Sequence, residues 1–138
     1  MTQVKNVSEL NKLKIRLFVE AVWNEGRLEL IYELVAADYI GHFPCSETAV
    51  AGPEGVSRLV SDHRRADPGL HIKIMDQIAE EDRVVTCWQA TTAAPDARAA
   101  TAYYTGISVI RLLAGRQVDS HTECTVSPAA RSAGRPRT

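Results

Sequence analysis

From Ser8 onward, Leu10, Leu13, Leu17, Phe18, Ala21 and Val22 recur at intervals of three and four, while Asn11, Lys12, Arg16 and Glu20 fill the other side. That period predicts an amphipathic helix of about four turns. Ser8 is the expected N-cap and Asn24-Glu25-Gly26 the stop, because glycine accepts the left-handed conformation that closes a helix. A second helix is expected from Leu28 to Ala36, with Leu28, Ile31, Tyr32 and Val35 on its buried stripe. Residues 40–52 keep no period and contain Gly41, Pro44, Ser46 and Gly52, which reads as a loop crossing an edge of the fold. Gly52-Pro53-Glu54-Gly55 then opens a third helix, since proline in a first turn sacrifices no hydrogen bond. Val56, Leu59, Val60 and His63 share one face of it, and Asp67-Pro68-Gly69 ends it.

Beyond Gly69 the period becomes two: Leu70, Ile72 and Ile74 alternate with His71, Lys73 and Met75. A turn at Glu80-Glu81-Asp82 leads into a strand from Arg83 to Thr92, rich in Val84, Val85, Cys87 and Trp88. A turn around Pro95-Asp96, a β-prone run from Ala99 to Leu113, a turn at Ala114-Gly115 and a last strand from Gln117 to Val126 complete the pattern. Three helices followed by an antiparallel meander predict an α+β fold, with the helices laid on one face of a curved sheet. One domain is expected over residues 1–127, followed by a disordered basic tail at 128–138, with no internal repeat.

Composition narrows the function classes. Of 138 residues, 45% are hydrophobic and 24% charged, the balance of a folded globular domain. Sixteen Lys and Arg against seventeen Asp and Glu leave a formal charge of −1, so no general basic field exists to gather nucleic acid. Arg131, Arg135 and Arg137 concentrate base in the tail, which has no aromatic residue to stack on bases and is expected to be dispensable. The apolar run at 107–114 is broken by Arg111, so no membrane span is expected. No apolar leader follows Lys5, and the cytoplasm is the expected location. Cys45, Cys87 and Cys124 are odd in number and widely spaced, expected to be reduced, and without a His-x-x-x-His no metal site is expected.

Several segments carry a family likeness in their order and spacing. They are Phe18 with Trp23-Asn24-Glu25-Gly26, the run from Leu34 to Ile40 with His42 and Pro44, and Gly52-Pro53-Glu54-Gly55. The run from Ile78 to Val85, Thr105-Gly106-Ile107 with Arg111, and the run from Gly115 to Asp119 complete the set. From Leu13 to Val126 the chain resembles the SnoaL-like polyketide cyclases, within the cone-shaped nuclear-transport-factor-2-like superfamily. The resemblance implies a cone-shaped α+β barrel whose core partly gives way to an apolar pocket, working without a cofactor on a hydrophobic polycyclic small molecule. The family's last strand carries a Trp and, four residues later, an Asp that serves as general acid/base; these positions hold His121 and Thr125 here. Threonine exchanges no proton near neutrality, so the usual chemistry does not transfer directly. Two further family features, a Gly-Thr-His segment and the Asp of Pro-Asp-Leu, are replaced by Thr91-Thr92-Ala93-Ala94 and Gly69.

Alternation on the last strand puts Asp119, His121, Glu123 and Thr125 on one face and Ser120, Thr122, Cys124 and Val126 on the other. The resemblance turns the first face into the cone, which makes His121 and Glu123 the expected proton-transfer pair. The residues alone equally allow an exposed edge on which all four are solvated. His42, beside Tyr39, is a candidate to orient a substrate carbonyl, or else a loop histidine bonded to backbone. His63 is expected to pack on the third helix and His71 to face solvent. Trp88, Tyr104, Tyr39, Phe18 and Thr125 are expected to line a substrate pocket, although aromatic rings on central strands suit an ordinary core as well.

Three functions stay open: enolisation of a polyketide or polycyclic ketone with ring closure or isomerisation, cofactor-independent hydroxylation of aromatic polyketides, and non-catalytic binding of a small molecule on the same fold. A homodimer is expected through the open face of the sheet, where long strands would otherwise expose Val, Ile and Tyr to water.

Overall fold

The structure, a computed structural model, describes the backbone of residues 2–44, 46–92 and 102–126. Helix α1 (Thr2–Leu17) runs into a π-wound segment (Phe18–Asn24) that stops at Gly26, whose φ is 75°. Ser8 therefore lies inside the helix and does not cap it; no glycine or proline interrupts the residues before it. The buried stripe is also displaced by one position from the expected one. Asn11, Ile15, Phe18, Val19 and Val22 face the interior, while Leu10 and Leu13 are more than half exposed and form, with Val7 and Leu17, a second apolar stripe on the outside.

The second expected helix is short. A 3-10 turn (Leu28–Leu30) and α2 (Ile31–Leu34) give way at Val35 to strand β1 (Val35–His42), and Tyr32 is exposed rather than buried. The expected loop at 40–52 thus begins as a strand. Ala36-Ala37 favours helix locally, but β1 pairs in parallel with the last strand and antiparallel with β2 (Val50–Ala51), and these ladders override propensity. Helix α3 (Gly52–Ala66) starts at Gly52-Pro53 as expected. Strands β3 (His71–Glu80), β4 (Arg83–Thr92), β5 (Ala102–Leu113) and β6 (Arg116–Val126) follow as a meander. The turn expected around Pro95-Asp96 and the tail after Val126 lie outside the described residues.

The sheet has the order β2-β1-β6-β5-β4-β3, and the helices cover one face of it, giving the expected α+β cone. Two apolar clusters hold the layers together. Phe18, Val22, Ile31, Leu34, Val35, Tyr39, Val50, Val56 and Val60 join the helices to β1, while Ile15, Val19, Val84, Ile110 and Leu112 join α1 to the meander. The outer face is open, and its residues register across five strands as Ile78, Val85, Val109, His121 and His42. Among the described residues no helix is long and apolar enough to cross a membrane.

The β5–β6 hairpin closes on Ala114 (φ 53°) and Gly115 (φ 79°), a two-residue turn that needs left-handed backbone at both positions. Alanine there carries a steric penalty of about 1 kcal/mol that asparagine largely escapes. Ala114→Asn is expected to stabilise the fold by about 0.5–1 kcal/mol, read as a rise of a few degrees in Tm by calorimetry.

Candidate functional site

The two core clusters do not meet everywhere. Between them lies a cavity of about 410 Å³, walled on the helix side by Phe18, Val19, Trp23, Val56 and Leu59 and on the sheet side by Ile72, Trp88, Ala90 and Ile110. Its floor is polar: Thr86, Ser108, Gln117, Ser120, Thr122 and Cys124. Phe43, Pro44, Asp67 and Leu70 contribute from the loops, and His63 from α3.

The chain fixes this space in three ways. Asn24 holds β3 by both ends of its amide, donating to Ile72 O at 2.8 Å and accepting Ile72 N–H at 2.7 Å. Arg64 Nη1 donates to the carbonyls of Trp23 and Asn24 at 2.7 and 2.8 Å, so the end of the π-wound segment has partners and Trp23 is held against the cavity. Two strand glycines supply the room that aromatic rings occupy. A Cβ on Gly41 would collide with the Tyr39 ring, and one on Gly106 with the Trp88 indole, which lies across the strand opposite its own.

The floor is hydrogen-bonded within itself. Trp88 Nε1 donates to Ser108 Oγ at 3.0 Å, and Ser108 Oγ shares a bond with Thr122 Oγ1 at 2.8 Å. Tyr39 Oη and Ser120 Oγ share another at 2.5 Å. Burial pushes the Tyr39 hydroxyl up from 10.0 to about 12; the bond from Ser120 works against this and the charge of Asp119 adds to it. The imidazole of His63 packs edge-on to Trp23, with ring centres 5.6 Å apart. Its Nδ1 lies 2.9 Å from the carbonyl of Leu59, which can only accept, so this bond is one that Nδ1–H donates.

Of the residues the sequence marks, Phe18, Tyr39, Trp88 and Tyr104 line the cavity. His42, His121, Glu123 and Thr125 stand together on the outer face instead. His121 Nε2 bonds Glu123 Oε2 at 2.8 Å with both side chains over 60% exposed, and the rings of His42 and His121 are 6.0 Å apart. The reversal has one cause. Gln117 points inward and strict alternation would carry Asp119, His121, Glu123 and Thr125 inward with it, as the sequence suggests. In β6, however, Gln117 pairs with Leu112 and Asp119 with Arg111, leaving Val118 as a bulge that resets the phase, so Ser120, Thr122 and Cys124 face the cavity. Gln117, Ser108 and the β6 hydroxyls were not marked, and His63 was read as a packing residue of the third helix and a weaker candidate; the small polar residues at 120, 122 and 124 were the available signal. Among the described residues no group of three or more His, Cys, Asp or Glu is placed to hold a metal ion.

Residues 15–120 match the model of the SnoaL-like domain family. Among solved structures, a candidate polyketide cyclase from Acidithiobacillus ferrooxidans superposes with a TM-score of 0.77 at 22% identity, covering 91% of this chain and 96% of that one. IdmH, a candidate polyketide cyclase from Streptomyces antibioticus, gives 0.71 at 23% identity over 83% and 91%. AclR, a candidate hydroxylase from Streptomyces galilaeus, gives 0.73 at 18% identity over 95% and 89%. These likenesses are of fold. No curated protein matches the chain.

The raised Tyr39 value generates a pH prediction. Above pH 10.0 the unfolded chain releases the phenolic proton while the folded chain keeps it to about 12, so stability is present below 10 and lost as pH rises through that window. Tyr39→Phe is expected to flatten this alkaline loss by about 2–3 kcal/mol relative to wild type, measured as unfolding free energy from pH 9 to pH 12 by urea titration. Parallel curves for the two proteins would contradict it.

Proposed function

This chain belongs to the SnoaL-like domain family, and we propose that it binds a polycyclic ketone in the cone and enolises it without a cofactor, with His63 as the proton acceptor. The observation that carries this reading is an apolar cavity of about 410 Å³ with an imidazole on its wall whose Nδ1–H is committed to Leu59. In the proposed step Nε2 takes a proton from the carbon beside the carbonyl. The C–H electron pair becomes the C=C bond of the enolate, and the oxygen takes the negative charge. If the enolate carbon adds to a second carbonyl of the same molecule, the imidazolium returns its proton to the new alkoxide and a ring has closed. If the proton returns to a different carbon, the product is an isomer. The hydrogen-bond donors of the floor favour the charged oxygen over the neutral carbonyl.

The test uses polycyclic ketones with an acidic α-carbon and follows product by mass spectrometry. His63→Asn keeps a donor for the Leu59 carbonyl while removing the base, and is expected to lower kcat by roughly 10²–10⁴-fold, with His121→Phe within about twofold of wild type. The opposite pattern would return proton transfer to the outer face of β6, where His121, Glu123 and His42 stand. Product heavier by one oxygen would instead favour hydroxylation, a reading supported by Thr125 in place of the family's acid. Binding without turnover would favour a non-catalytic carrier.

The outer face supports a second part of the reading, a homodimer through the sheet. Ile40, Ile78, Ile107 and Val109 are each about 40% exposed or more on that face, an apolar patch that a second copy would cover. Light scattering at micromolar concentration is expected to give twice the chain mass and Val109→Glu to give the single chain; a monomeric wild type would overturn it.

A further inference from the structure

The floor of the cavity holds hydroxyl protons that its own hydrogen bonds do not use. Tyr39 and Ser120 have two hydroxyl protons and share one bond. Trp88, Ser108 and Thr122 have three protons and form two bonds, and the indole can only donate. Neither group makes a further hydrogen bond among the described residues, so each leaves one O–H proton over. Gln117 lines the same cavity; it is 3% exposed and its fully buried Nε2 has no partner. A buried amide nitrogen left unpaired is destabilising, and it has no means of relief except an acceptor.

We propose that Gln117 is a specificity-determining residue whose amide, with the Ser120 hydroxyl on the other side of the Val118 bulge, anchors an acceptor oxygen of the ligand: a ketone or quinone carbonyl, or the enolate formed from it. The proposal rests on the reading that the cavity is the ligand site, and it goes beyond that reading by naming the ligand's polarity. The unpaired amide N–H of Gln117 needs an acceptor, and a carbonyl oxygen brings two lone pairs and no proton of its own, whereas a protonated amine brings no lone pair. Gln117 and Ser120 sit on either side of the Val118 bulge, so both side chains face inward where a regular strand would turn one of them out. Gln117 also lies opposite Leu112 and Val35, apolar neighbours that offer its amide nothing. The same donors would then hold the developing oxyanion during enolisation, which places Gln117 with the oxygen and His63 with the carbon-bound proton.

A matched pair of probes tests this in the full-length protein. Anthraquinone and anthracene share a ring frame and differ by two carbonyl oxygens; their binding is followed by quenching of Trp23 and Trp88, which both line the cavity. Wild type is expected to bind anthraquinone about tenfold more tightly than anthracene, the order of one or two hydrogen bonds made in a dry site. Gln117→Met, which keeps side-chain length and removes the donor, is expected to bring the two affinities within about twofold while anthracene binding is unchanged. Its Tm is expected to equal or exceed that of wild type, because an unpaired buried amide has been removed. A structural role for Gln117 would lower Tm and leave the quinone preference intact, and that result overturns the proposal. If Gln117→Met does not fold, Gln117→Leu takes its place with the same expected loss of preference. Equal binding of the two probes by wild type overturns the proposal alone, whereas failure of wild type to bind either probe removes the cavity as the ligand site and the proposal with it.

Discussion

One extra residue, Val118, decides what this cone contains. Strand β6 lies between β1 and β5, so its phase is imposed on both neighbours through the ladders, and a one-residue slip would exchange its two faces completely. With the bulge in place, Gln117, Ser120, Thr122 and Cys124 look inward and the charged pair His121–Glu123 looks out. Without it the interior would hold Asp119, His121 and Glu123, three ionisable groups in a low-dielectric space with no cation facing them among the cavity residues. Burial of that kind is costly and drives groups toward neutrality. The inner face of β6 instead carries uncharged hydroxyls, a thiol and one amide, and the proposed acid–base group, His63, stands on the helix side.

That division separates two tasks across the cavity. The helix layer brings bulk, from Phe18, Trp23 and Leu59, together with the imidazole of His63; the sheet brings direction, through hydroxyls and one amide. The link between the layers is polar and covers few residues. Asn24 grips the Ile72 peptide, and Arg64 holds the two carbonyls that the π-wound segment leaves at its end. Dispersion alone would let the helices slide over a greasy cavity wall, whereas these directional contacts specify one position.

Much of the architecture was legible because periodicity reports burial directly. Helix α3, strands β3 to β6, the turns at Glu81 and Ala114, and the stop at Gly26 all follow from local pattern. The aromatic lining, Phe18, Tyr39, Trp88 and Tyr104, was legible for the same reason. What failed was non-local. Val35 to Ile40 carries a helix-compatible composition and becomes a strand only because β6 and β2 offer it partners. The leucines at 10, 13 and 17 make a better apolar stripe than Asn11, Ile15 and Val19, yet α1 turns the latter to the sheet, where Asn11 reaches the Glu81 carbonyl at 3.5 Å. The phase of β6 was illegible because neither of its faces is apolar and nothing in the local sequence announces a bulge at a valine. His63 read as a packing residue because it is one, against Trp23, while also lining the cavity.

Gly41 and Gly106 give the cavity an unusual kind of adjustability. Both are places where the chain withholds a side chain so that a neighbour's ring can lie flat, which makes the volume of the interior a property of positions whose own atoms are backbone. A lineage that acquired a methyl group at either position would have to rotate Tyr39 or Trp88 away, and with the ring would go the hydroxyl or indole N–H that orders the floor. Size and polarity of the interior are therefore tied together at these two positions, since a side chain at either one would change both at once.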